Sequence, residues 1–173
     1  MFTAISSPGA RLRTIAGAVS ISLLAGLALA PSSAFASSAG PFAKFVGSWD
    51  GAGQVAGANG GVEKIRCRAV YSTPAEAQLT QSLVCASDSY RIQIHSFVVA
   101  DGQAVEGHWE EATRQVTGHL AGTIADGRFE GAVSGAAFTA NLSLNTAGRK
   151  QTVVITPNAG DISRVSIVLS RDD

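Results

Sequence analysis

The chain has 173 residues, with 13 Lys and Arg against 13 Asp and Glu, so its formal net charge is zero. That balance argues against a nucleic-acid binder, which carries a basic excess or stripe. A charged fraction of 15% beside a hydrophobic fraction of 46% excludes a disordered chain, and 19 glycines argue against a helical bundle or coiled coil.

Residues 1–36 read as an export signal. Arg11 and Arg13 precede an apolar stretch over 15–30, and Ala34, Phe35 and Ala36 supply the small-x-small pattern of a cleavage site after Ala36. Ala28 and Ala30 offer an earlier cut. The apolar stretch is shorter than the roughly 20 residues of a spanning helix. No Cys follows it to carry a lipid anchor, and the two arginines are not adjacent. Cleavage removes both arginines and leaves a mildly acidic mature protein, expected in the periplasm or secreted. Residues 37–44 read as a flexible lead-in, and 45–173 as one β-domain.

From residue 45 onward apolar and polar residues alternate with period two, and turn signals recur at short intervals. The pattern predicts ten strands over 45–56, 62–72, 77–87, 90–100, 103–111, 114–124, 128–134, 137–146, 149–157 and 162–171. Short connections make successive strands antiparallel neighbours. A meander of this length closes into a barrel to remove its exposed edges. The predicted fold class is therefore all-β, a single up-and-down antiparallel barrel.

Two-residue turns at Asp101-Gly102, Ala112-Thr113, Asp126-Gly127, Gly135-Ala136 and Ala147-Gly148 set the expected registers. They pair Val98 with Val105, Ile94 with Trp109, Gly107 with Gly118, and Glu106 with His119. They also pair Gly122 with Gly131, Phe129 with Leu142, and Leu142 with Val153. The apolar residues then share one face throughout. Cys67 and Cys85 fall opposite each other on the inward side of a hairpin that also pairs Tyr71 with Gln81. In an exported chain this even pair is expected to form a disulfide.

Phe45, Gly47 and Trp49 form an F-x-G-x-W start that resembles the opening of lipocalins and their calycin relatives. The resemblance implies a ligand-binding antiparallel barrel whose Trp packs at the closed end against a basic side chain near the last strand. Arg171 has the parity for that role over Trp49. No helix flanks the barrel, and no T-D-Y motif accompanies the start. The strand count is nearer the fatty-acid-binding and nitrobindin branches, although the helical lid of the former is absent from the sequence.

The predicted interior is mostly apolar, with Gln81 and Ser96 adding polar groups. Inward glycines, among them Gly107, Gly118, Gly122 and Gly131, leave side-chain volume vacant. Either a ligand fills it or the walls flatten. The ligand reading places a pocket among Ile94, Trp109, Leu120 and Phe129, next to Gly107, Gly118, Tyr71 and Gln81. On that reading Gly118→Leu would block a ligand and spare the fold.

No residue set amounts to catalysis. Glu110 and Glu111 point to opposite faces, so they cannot act across one substrate. His95, His108 and His119 all have outward parity, which argues against an inward haem ligand; a solvated face is expected there over the alternative of a surface metal site or pH-responsive pair among Glu106, His108 and His119. Lys64, Arg66, Arg68 and Arg91 make a small outer basic stripe. The sequence therefore predicts a non-catalytic protein, without cofactor or metal, that binds a small apolar or amphipathic ligand. It contacts no nucleic acid and has no membrane span in its mature chain. A structural or interaction protein of the cell envelope, with a filled core, is the alternative.

Overall fold

The computed structural model describes residues 40–172 other than Ala137. The expected export signal over 1–36 lies outside the described residues. The strands are β1 (Gly47–Gly57), β2 (Val62–Ser72), β3 (Gln78–Ala86), β4 (Arg91–Asp101), β5 (Ala104–Glu111), β6 (Val116–Ala125), β7 (Arg128–Gly135), β8 (Thr139–Ala147), β9 (Lys150–Pro157) and β10 (Ile162–Arg171). Each pairs antiparallel with its neighbour in sequence, and β1 pairs with β10 to close the barrel. Among the described residues no helix is long and apolar enough to cross a membrane.

Alternation does the sorting. In β2, Ile65, Cys67, Ala69 and Tyr71 are buried, while Lys64, Arg66, Arg68 and Val70 face out. Closure depends on Gly51: a Cβ there would overlap the Val168 carbonyl of β10, so no larger residue allows the seam this close an approach.

Four of the expected registers are shifted by two residues. Val98 faces Gly107 rather than Val105, and Ser96 rather than Ile94 faces Trp109. Trp109 faces Gly118, Gly107 faces Leu120, and His108 rather than Glu106 stands opposite His119. Phe129 faces Leu144, and Leu142 faces Ile155. The reason lies in the turns. Gly102 and Gly148 are the first, not the second, of two central residues, and each carries a positive φ, of 59° and 58°. That is the requirement of a type II′ turn, which moves the pairing by two. Between β5 and β6 the loop is longer still, running from Glu111 to its partner Val116. At Asp126 and Gly127 both φ values are positive (50° and 82°), as a type I′ turn demands, and the expected pairing of Gly122 with Gly131 holds. A shift of two leaves every side chain on its expected face.

Cys67 and Cys85 stand opposite each other on β2 and β3, with Cα atoms 4.1 Å apart, and form a disulfide. On the chain-entropy account, closing a loop of this size stabilises by roughly 3 kcal/mol. The Cys67→Ala/Cys85→Ala protein is therefore expected to lose about that much in urea denaturation. Reductant should weaken the parent protein and leave the variant unchanged.

Candidate functional site

One end of the barrel is closed. Trp49 is fully buried on β1, and the Arg171 guanidinium of β10 lies 4.5 Å from its ring centroid. The Trp49 indole donates to the Phe45 carbonyl at 2.7 Å. The stretch expected as a flexible lead-in is, from Gly40 onward, two successive tight turns. They bury Phe42 and Phe45 beneath the barrel, with Phe45 against the Tyr71 ring. Lys44 fastens the turns outside: its carbonyl accepts from Arg171 and its ammonium pairs with Asp126. The sequence reading missed this plug. Its signal is two phenylalanines one turn apart, just ahead of the G-x-W start.

Above the plug, inward side chains surround a chamber of about 390 Å³. Its walls include Ile94, Trp109, Leu120, Leu142, Ile155 and Val165. Phe138 and Ile162 stand at its mouth and are partly solvent-exposed. The floor carries polar groups among apolar ones: Tyr71, Gln81 and Ser96, together with Leu120, Leu142 and Leu144, border both the chamber and a small space of about 60 Å³ beneath it. Phe129, expected to bound the same pocket, lines only that lower space. A larger hollow of about 700 Å³ lies along the outer wall, beside Gln54, Lys64, Arg66 and Ser166. Its lining is mainly the outward alternation of β1, β2 and β10, so it is a surface hollow outside the barrel.

The inward glycines belong neither to open cavity nor to collapsed wall. Three of them, Gly118, Gly122 and Gly131, are seats for aromatic rings. A Cβ at Gly118 would meet Trp109 Cζ2 at 2.5 Å and overlap the Ser134 carbonyl. Cβ atoms at Gly122 and Gly131 would meet Phe129 Cζ at 2.8 and 2.6 Å. Gly107 is covered by Val98, its neighbour on β4. Gly107 and Gly118 therefore shape the wall without facing the chamber. A ring over a strand glycine restores the packing that the missing side chain forfeits.

Buried polar groups form a chain across the floor. The Tyr71 hydroxyl, with Gln81 opposite it on β3, donates to Gln151 Oε1 at 2.9 Å. Gln151 Nε2 donates in turn to Thr146 Oγ1 at 3.0 Å. Burial pushes the Tyr71 phenol well above its ordinary range, outweighing both amide contacts, so it stays protonated.

Glu111 is buried and Glu110 is exposed. Glu111 accepts backbone hydrogen bonds from Gln93 at 3.1 Å, Thr113 at 3.0 Å and Arg114 at 2.8 Å, holding the β5–β6 loop. Burial alone would raise its pKa, but these donors together lower it from 4.5 to about 2. The stabilisation is thus complete above the ordinary carboxylate range and fades as pH falls toward 2. Glu111→Gln is expected to melt below the parent protein at pH 7. The gap in melting temperature should narrow between pH 4.5 and 2. A constant gap would mean that the charge on Glu111 contributes nothing.

The three histidines are exposed on the outer wall, and among the described residues no group of side chains is placed to hold a metal. In the basic stripe, Arg68 is paired with Asp50 at 2.9 Å.

No protein-family model matches the chain, and no curated protein is detectably similar to it. Similarity appears among solved structures. Rv2717c from M. tuberculosis superimposes with a TM-score of 0.63 at 14% identity, over 76% of this chain and 95% of that one. The S-type phycobiliprotein lyase CPES from Guillardia theta does so with a TM-score of 0.52 at 16% identity, over 76% and 90%. The likeness is to the closed, up-and-down antiparallel barrel described above. At these identities the likeness concerns the fold alone.

Proposed function

We propose that this protein is an exported, non-catalytic barrel that binds one small apolar or amphipathic molecule inside. The observation that carries this reading is the chamber of about 390 Å³, apolar in its walls, plugged at one end and bordered at the other by Phe138 and Ile162. Small-molecule sites occupy about 300–1,000 Å³ and are lined mainly by apolar groups with a few polar ones. A filled-core envelope protein would have no use for such a space. Binding rather than catalysis is favoured by the floor, where Gln81, Ser96 and Tyr71 are all uncharged. Export is favoured by the segment over 1–36 together with a disulfide, which persists in oxidising compartments.

The test is titration of the mature protein with N-phenyl-1-naphthylamine, an uncharged dye that fluoresces in apolar surroundings. Saturable binding of one dye per barrel is expected. A signal that never saturates, or none at all, would defeat the reading.

A further inference from the structure

The floor and walls of the chamber also restrict the charge of what they hold. Among the described residues that line it there is no Lys, Arg or His. Its sole ionisable groups are the Tyr71 phenol, held protonated, and Asp161 at the mouth. Arg171 does not line the chamber; its guanidinium lies at the closed end, over Trp49 and against the Lys44 carbonyl. A carboxylate or phosphate brought to the floor would lose its water and meet no positive charge. It would also pass Asp161 on entry. Burying an unpaired ion is costly enough that a carboxyl group protonates instead.

The floor is nonetheless built to make hydrogen bonds. Gln81 and Ser96 face each other on β3 and β4, and both reach the chamber. The Tyr71 hydroxyl is engaged by Gln151, whose amide nitrogen donates to Thr146. Gln81 has four hydrogen-bonding positions on its amide. What remains is a neutral donor and acceptor pair, with the Ser96 hydroxyl beside it, at the bottom of an apolar well.

Resting on the ligand-binding reading above, we infer that the occupant is an uncharged, largely hydrocarbon molecule bearing a hydroxyl or carbonyl at one end. That end sits down on Gln81 and Ser96, and the hydrocarbon extends toward Phe138 and Ile162. Carboxylate amphiphiles of the same length are rejected at neutral pH.

The experiment uses the unmodified mature protein loaded with N-phenyl-1-naphthylamine. Displacement is compared for 1-decanol and decanoate at pH 8, then for both at pH 5. The expected result is that 1-decanol displaces the dye at a concentration at least about tenfold lower than decanoate at pH 8. The gap should narrow at pH 5, as protonation makes the acid neutral. In Gln81→Leu, 1-decanol should displace the dye only at a higher concentration, once each protein's own dye affinity, measured by direct titration, is taken into account. Decanoate competing as well as 1-decanol at pH 8 would overturn the inference and leave ligand binding standing. A protein that never binds the dye would remove the ligand-binding reading and the inference with it.

Discussion

Ile155→Trp is expected to empty the barrel of ligand while leaving it folded. Ile155 on β9 stands between Leu142 of β8 and Val165 of β10, and all three line the chamber. Its side chain is only half-buried, because its inner side borders open space. An indole at this position extends into that space rather than into packed neighbours, so the usual penalty of overpacking is small. The ligand suffers instead. Denying it about 100 Å² of apolar contact costs on the order of 2.5 kcal/mol at about 25 cal/mol per Å², which is nearly two decades in affinity. Dye titration and thermal melting together check this. Unchanged dye affinity in a variant that melts like the parent would place binding outside the chamber.

Gly118→Leu should have the opposite signature. The sequence alone predicts that it blocks a ligand and spares the fold. The structure reverses that expectation, because the space beside Gly118 is already taken by the Trp109 indole and the Ser134 carbonyl. The indole is itself held by its Nε1 donating to the His119 carbonyl at 3.2 Å and by the Phe138 ring, 5.6 Å away. Any side chain at 118 must push apart β6 and β7 or evict Trp109. Overpacking typically costs about 1–3 kcal/mol, and a clash with backbone belongs at the upper end of that scale. Urea denaturation is expected to show a lower midpoint for Gly118→Leu, and already a smaller drop for Gly118→Ala. A Gly118→Leu protein as stable as the parent would mean that Trp109 does not rest on this glycine.

These two substitutions mark what could be read from residues alone. Period-two alternation determined the number of strands, the face each side chain takes and the closed meander, because those properties depend only on residue order and short connections. The same parity put Cys67 against Cys85 and brought Arg171 to the side of Trp49. Parity is blind to a shift of two. The place of Gly102 in its turn decided that Trp109 faces Ser96 rather than Ile94, and the longer β5–β6 loop decided that it faces Gly118.

A glycine also carries no record of what covers it. Only the assembled sheet shows Trp109 over Gly118 and Phe129 over Gly122 and Gly131, since the covering ring arrives from a neighbouring strand or from two residues along its own. The plug of Phe42 and Phe45, the Glu111 clasp and the neutral floor of Tyr71, Gln81 and Gln151 were likewise settled by tertiary structure. The floor, for one, joins Tyr71 to Gln151, far apart in the chain, which no local pattern connects. The chamber is the volume left between such groups once all ten strands have closed around it, and so it was decided last.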